Sequence, residues 1–142
     1  MTGMKKIENG RRIVVKIGSA LLADQEHGTV HRNWLDALAQ DVNECRQRGQ
    51  EVVLVSSGAI AIGRRRLSLP PGPLKLDDNQ AAAAAGMVRL AHAYEEALGA
   101  FDITVGQVLL TLDDTESRRR YINARNTLEA LLKLGAVPLI NE

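Results

Sequence analysis

EVVLVSSGAIAIG, residues 51 to 63, runs after Glu51 through the apolar, β-branched stretch Val52 to Val55, passes through Ser56-Ser57-Gly58, and continues as alternating alanine and isoleucine to Gly63. A run of this kind fits a strand buried on both faces. A strand that turns through hydroxyls and a glycine straight into a helix is the unit from which parallel α/β sheets are assembled. Outward from it the strand character recurs in RIVVKIG from Arg12, ITVGQVLLT from Ile103 and AVPLINE from Ala136. Helical spacing fills the intervals. Trp34, Leu38, Val42 and Cys45 share a face of a helix from about Asn33 to Gly49, and a second helix runs from Gly58 to about Leu67. A third begins near Asp78, carries the alanines 81 to 85, and turns Val88, Ala91, Tyr94 and Leu98 towards a core. Its alanines are strong helix formers that allow close approach to a sheet. Tyr121, Ala124, Leu128 and Leu131 mark a fourth, stopped by Gly135.

The alternation predicts an α/β fold: a doubly wound, mainly parallel sheet sandwiched by helices, with right-handed crossovers. Two stretches interrupt it. Residues 23 to 32 are polar and read as a surface excursion. SLPPGPLKL from Ser68 holds three of the four prolines and cannot be continuous helix. With 142 residues there is material for one domain or part of one.

Composition excludes several classes of function. Eighteen basic and 17 acidic side chains leave a formal charge of +1, so no strong field selects polyanions. Trp34, Phe101, Tyr94 and Tyr121 are scattered, unlike a base-stacking platform, so no nucleic-acid partner is expected. No apolar run reaches the roughly 20 residues of a membrane span, and residues 1 to 12 lack the apolar stretch of a secretory signal, so no membrane partner and a cytoplasmic location are expected. A single cysteine cannot form an internal disulfide, and Cys45 shows no metal-ligand spacing with His27, His31 or His92. Cys45 falls in an apolar stripe and reads as core.

In open parallel sheets ligands gather beyond the carboxyl ends of the strands. Those ends deliver Lys16, Gly18 and Ser19; Ser56, Ser57 and Gly58; Thr111, Asp113 and Asp114; and Asn141 and Glu142. Lys16 has two readings, an ammonium over phosphate oxygens or a side chain snorkelling from a strand end. Ser57 and Gly58 either present a helix N-terminus to an anion or, with Ser57 as N-cap, satisfy the helix's first turn. TLDDTE from Thr111 offers metal-binding carboxylates or, more simply, a helix cap with acids near the dipole. The arginine triplets 64 to 66 and 118 to 120 read as solvated helix faces.

Taken together, VVKIGSALL, VVLVSSGAIAIG, QAAAAAG, VGQVLLT and YINARNTLEALLKLGAVPLINE resemble the amino acid kinase family, and within it the glutamate 5-kinases, from Arg12 to Glu142. The resemblance implies transfer of the ATP γ-phosphoryl group to the γ-carboxylate of L-glutamate, the first step of proline synthesis, with ATP and Mg²⁺ as cofactors. It implies Lys16 as the catalytic cation, Lys16, Gly18, Ser19 and Gly58 at the phosphates, and Ser57, Gly58, Ala59 and Asn141 at the glutamate, with no metal ligand assigned. It divides the chain into a tail, 1 to 11, and a partial kinase domain, 12 to 142, expected to stop before the nucleotide-binding half and to be inactive alone. A homo-oligomer is expected. Asn79 and Met87 depart from the family pattern, which often has Lys and Gln there. The kinase domain of a pyrroline-5-carboxylate synthase and a non-catalytic binding or interaction fragment are the alternatives.

Overall fold

The computed structural model describes residues 10 to 24, 26 to 109 and 118 to 141. In chain order the elements are β1 (Arg12–Ile17), α1 (Ser19–Leu22), β2 (Ala23–Asp24), β3 (Thr29–Val30), α2 (Arg32–Gln47), β4 (Glu51–Ser56), α3 (Ala59–Arg66), α4 (Leu76–Gly99), β5 (Val105–Leu109), α5 (Arg118–Lys133) and β6 (Val137–Asn141). Four strands form one parallel sheet in the order β1-β4-β6-β5.

The alternation of side chains along the strands sorts the helices into layers. Val52 and Leu54 of β4 share a buried cluster with Ile17, Leu139, Leu35, Ala39 and Val42 of α2, and Leu90, Tyr94 and Leu98 of α4. The opposite face carries Gly106, where a Cβ would run into Leu131 of α5. Helices therefore cover both faces, as the sequence predicts. Pro138 is tolerated inside β6 because the ladder to β4 begins only at Leu139, paired with Leu54. The Val137 N–H bonds Thr104 of the β5 side, so the donor that proline lacks would have pointed the other way.

Three sequence expectations shift. Residues 23 to 32 are no plain excursion: β2 and β3 pair as a small antiparallel hairpin, and Ala23 is buried. The α4 stripe is centred on Leu90, Tyr94 and Leu98, while Val88 is 73% exposed. The alanine-rich segment brings α4 against α3 rather than against the sheet. At Gly63 a Cβ would collide with the Ala82 carbonyl, and at Gly86 with the Ala59 carbonyl. Two glycines facing each other thus let two helix backbones touch.

Candidate functional site

The carboxyl ends of the strands are level. Ile17 is paired with Ser56, Ser56 with Asn141, and Leu109 with Asn141, so β1, β4, β6 and β5 finish in one row. Above β1 and β4 that row opens into a cleft of about 820 Å³ lined by Ser19, Ser57, Gly58, Ala59, Arg64 and Glu26 among others.

The floor of the cleft follows from the turn after β4. Ser57 donates its backbone N–H and its Oγ hydroxyl to the same acceptor, the Ile17 carbonyl, each at 3.1 Å. This ties the β4 turn to the end of β1. Gly58 then takes a left-handed conformation, φ 110°, and acts as the N-cap of α3 without a side-chain cap. Glycine adopts that φ without the steric penalty a side chain would impose. The reading of Ser57 as an N-cap is therefore overturned: its hydroxyl faces β1. The first-turn N–H groups of α3 lack a side-chain cap, and such groups favour an anion.

Gly18 is under no such constraint. Its φ of −73° suits any residue, and a Cβ there would meet nothing within 4 Å. Neither strain nor packing demands a glycine there. Ser19, the next residue, touches Gly58 from across the cleft, its Cα and Cβ 3.4 Å from where a Gly58 Cβ would stand.

The predicted site residues separate into groups. Ser19, Ser57, Gly58 and Ala59 line the cleft together. Lys16 is exposed one residue before the end of β1, on the face of Val14 rather than that of Val15 and Ile17. It is not among the residues that line the cleft. Asn141 stands two strands from β1 with a buried Oδ1 that has no hydrogen-bond partner among the described residues. An unpaired buried carbonyl oxygen is costly and points to a group that completes it. Thr111, Asp113, Asp114 and Glu142 lie outside the described residues. Of the two departures from the family pattern, Met87 packs against the core and Asn79 is half-buried in the first turn of α4.

Sequence reasoning missed two contributors. Arg64 leaves the solvated face assigned to it: its guanidinium holds the Pro70 and Gly72 carbonyls, fixing the proline-rich wall of the cleft. Glu26 reaches the rim through the β2–β3 hairpin, whose turn packs on Arg65 at Gly28. A charged residue beside a hairpin glycine gave no helical or strand period that would have flagged it. Among the described residues, no group of three or more His, Cys, Asp or Glu is placed to hold a metal ion. No helix among them is long and apolar enough to cross a membrane.

A parallel sheet with helices on both faces, and an uncapped helix N-terminus opening on a cleft at its carboxyl edge, define a doubly wound α/β domain of the kind that binds ligands along that edge. The profile of the amino acid kinase family matches residues 11–142, and the chain belongs to that family. It is 62% identical over 139 residues to the glutamate 5-kinase of Paramagnetospirillum magneticum, covering 98% of this chain and 37% of that protein. It is likewise 62% identical over 136 residues to the glutamate 5-kinase of Cereibacter sphaeroides, covering 96% of this chain and 36% of that one. The chain thus spans little more than a third of the length of these curated relatives. Among solved structures, an isopentenyl phosphate kinase product complex from T. acidophilum superimposes with a TM-score of 0.61 at 17% identity. That match covers 89% of this chain and 53% of the kinase, and it shows the shared fold.

Proposed function

We propose that this chain is a segment of a glutamate 5-kinase, which transfers the γ-phosphoryl group of ATP to the γ-carboxylate of L-glutamate. Its high identity to glutamate 5-kinases supports the reaction, and one structural observation supports the acceptor site. That observation is the Ser57–Gly58–Ala59 turn, pinned to β1 and opening the uncapped start of α3 onto the cleft. A carboxylate placed there meets the first backbone N–H groups of α3, with Arg64 and Arg65 lining the same cleft, while the Ser57 hydroxyl holds the turn to the Ile17 carbonyl. Asn141, whose carbonyl oxygen has no partner among the described residues, is the residue assigned here to the amino group of glutamate.

Lys16 and the Gly18–Ser19 turn form the neighbouring phosphoryl side. Phosphoryl transfer asks a protein chiefly for positioning and charge stabilisation, and a lysine at a strand end supplies a point charge to the transferring oxygens. Mg²⁺ would enter with ATP and would offset phosphate charge, and the chain's own contribution is the cation at Lys16 and the donors at Ser19 and Gly58. A homo-oligomer and a cytoplasmic location belong to the same proposal.

The test is a hydroxylamine trap for γ-glutamyl phosphate on the full-length protein containing this segment. Lys16→Ala should lower kcat about a hundredfold or more while barely moving the melting temperature, because an exposed strand-end side chain contributes little to the fold. Hydroxamate formed equally well by the lysine variant, or none formed with glutamate by the parent, would overturn the assignment.

A further inference from the structure

Tyr94 of α4 is wholly buried, and its hydroxyl ends 2.9 Å from Oγ of Ser56, the last residue of β4, itself 1% exposed. In a cluster otherwise made of aliphatic side chains, a phenylalanine would fill the space without the cost of burying a hydroxyl. The tyrosine is therefore explained by what its oxygen touches. Burial pushes the phenol up to about 12, so it stays protonated and acts as the donor towards Ser56. The Ser56 hydroxyl, accepting from Tyr94, turns its own hydrogen to the Ser57 carbonyl at 3.4 Å. That distance is long for an O–H···O bond, so it biases the carbonyl's orientation rather than locking it.

The consequence falls on the next atoms of the chain. The Ser57 carbonyl and the Gly58 N–H belong to one peptide unit, and no peptide bond among the described residues is cis. In a trans peptide the two groups point in opposite directions. A carbonyl drawn inward to Ser56 therefore sends the Gly58 N–H away from the core. Glycine at φ 110° is free to undergo a flip of the preceding peptide plane, which would exchange that donor for a carbonyl oxygen. An oxygen in that position repels a carboxylate.

We propose that Tyr94 and Ser56 are positioning residues for the acceptor turn: the buried hydroxyl pair biases the Ser57–Gly58 peptide towards the orientation that presents its N–H to an anionic substrate. The inference rests on reading this turn as the glutamate site. Neither residue touches substrate; both act through the peptide plane.

The experiment compares Tyr94→Phe, Ser56→Ala and the double variant in the full-length protein. Each single change should raise the KM for glutamate about fivefold, the loss expected for one hydrogen bond, with the KM for ATP unchanged. Melting temperature should behave differently. Ser56→Ala orphans the buried tyrosine hydroxyl, whereas the double variant removes both partners and should recover stability without recovering KM. A glutamate KM unmoved by Tyr94→Phe, or one that returns with the melting temperature in the double variant, would make the pair a packing feature and overturn the proposal.

If the parent protein shows no glutamate-dependent turnover, the functional reading fails on its own. The positioning role is then decided by ¹⁵N relaxation dispersion at Gly58 and Ala59. Quiet amides in the parent and microsecond-to-millisecond exchange in Tyr94→Phe would sustain it, and equally quiet amides in both would overturn it.

Discussion

His27 and Asp24 close the turn of the β2–β3 hairpin, with Nδ1 2.8 Å from Oδ2, while Oδ1 of Asp24 accepts the N–H groups of Glu26 and His27. The imidazole hydrogen bond holds the Asp24 carboxyl below its ordinary 3.8, and Asp24 in turn raises His27 above its ordinary 6.5. Asp24 therefore contributes above 3.8 and loses its contribution as pH falls through its lowered folded value. His27 contributes below 6.5 and loses its contribution as pH rises through its raised folded value. Between the two ordinary values both contributions are present, and that of His27 is lost as pH rises beyond its raised folded value. Exchange of the Gly28 amide, bonded to the Asp24 carbonyl, should accelerate as pH rises from below the ordinary 6.5 of His27 to beyond its raised folded value by more than the intrinsic pH effect, and His27→Asn should abolish that excess. Identical profiles for parent and variant would refute it. At this scale the sequence revealed groups whose chemistry is bound to a local pattern, such as Gly58 at a strand-to-helix turn. It concealed those that act across the fold: Tyr94 lies 38 positions from Ser56, and nothing in either local sequence announces the other.

The elements were legible where periodicity and punctuation agree. Gly49 and Gly135 end α2 and α5 as read, each with positive φ and the paired bonds of a Schellman motif: Gly49 to Arg46 with Gln50 to Cys45, and Gly135 to Leu132 with Ala136 to Leu131. Two further helices end in the same way without glycine. Ser68 follows α3 at φ 55°, and Asp102 follows α4 at φ 60°. Both bear the steric cost of the left-handed region, so Asp102→Gly should stabilise the protein by several tenths of a kcal/mol to about 1 kcal/mol, measured by denaturant melts. A loss of stability would show that Asp102 serves some other contact. Less legible was the partner of the alanine-rich helix, because small residues advertise a close approach without saying to what. Gly86→Ala tests the answer. Helix propensity alone would favour alanine by about 1 kcal/mol, but its Cβ would strike the Ala59 carbonyl, so a net loss of roughly 2 kcal/mol or more is expected. Because Ala59 belongs to the acceptor turn, the same change should raise the glutamate KM, and a stabilised variant with unaltered KM would contradict the packing.

For the whole molecule, the alternation of strands and helices was enough to foresee a parallel sheet with helices on both faces, since crossover connections leave few other arrangements. The order β1-β4-β6-β5 was not foreseeable, because local pattern does not tell which strand a crossover skips. The site shows the same division. Ser19, Ser57, Gly58 and Ala59 share the cleft, while Lys16 and Asn141 stand near the ends of β1 and β6, with β4 between them. A donor turn, one cation and part of an acceptor pocket hold single groups, but phosphoryl transfer needs nucleotide, metal and acceptor aligned at once. The curated relatives devote nearly two thirds of their length to sequence with no counterpart in these 142 residues, the P. magneticum protein being covered to 37%. The 142-residue chain by itself should therefore form no measurable γ-glutamyl hydroxamate from ATP and glutamate, whereas the same segment joined to the remaining sequence of such a relative should do so. Inorganic phosphate should still bind the lone chain weakly, with affinity falling as salt rises, because the start of α3 remains uncapped. Robust hydroxamate formation by the lone chain would show that the chemistry needs fewer groups than the site geometry implies, and that the cleft beside Ser57 is itself sufficient for catalysis.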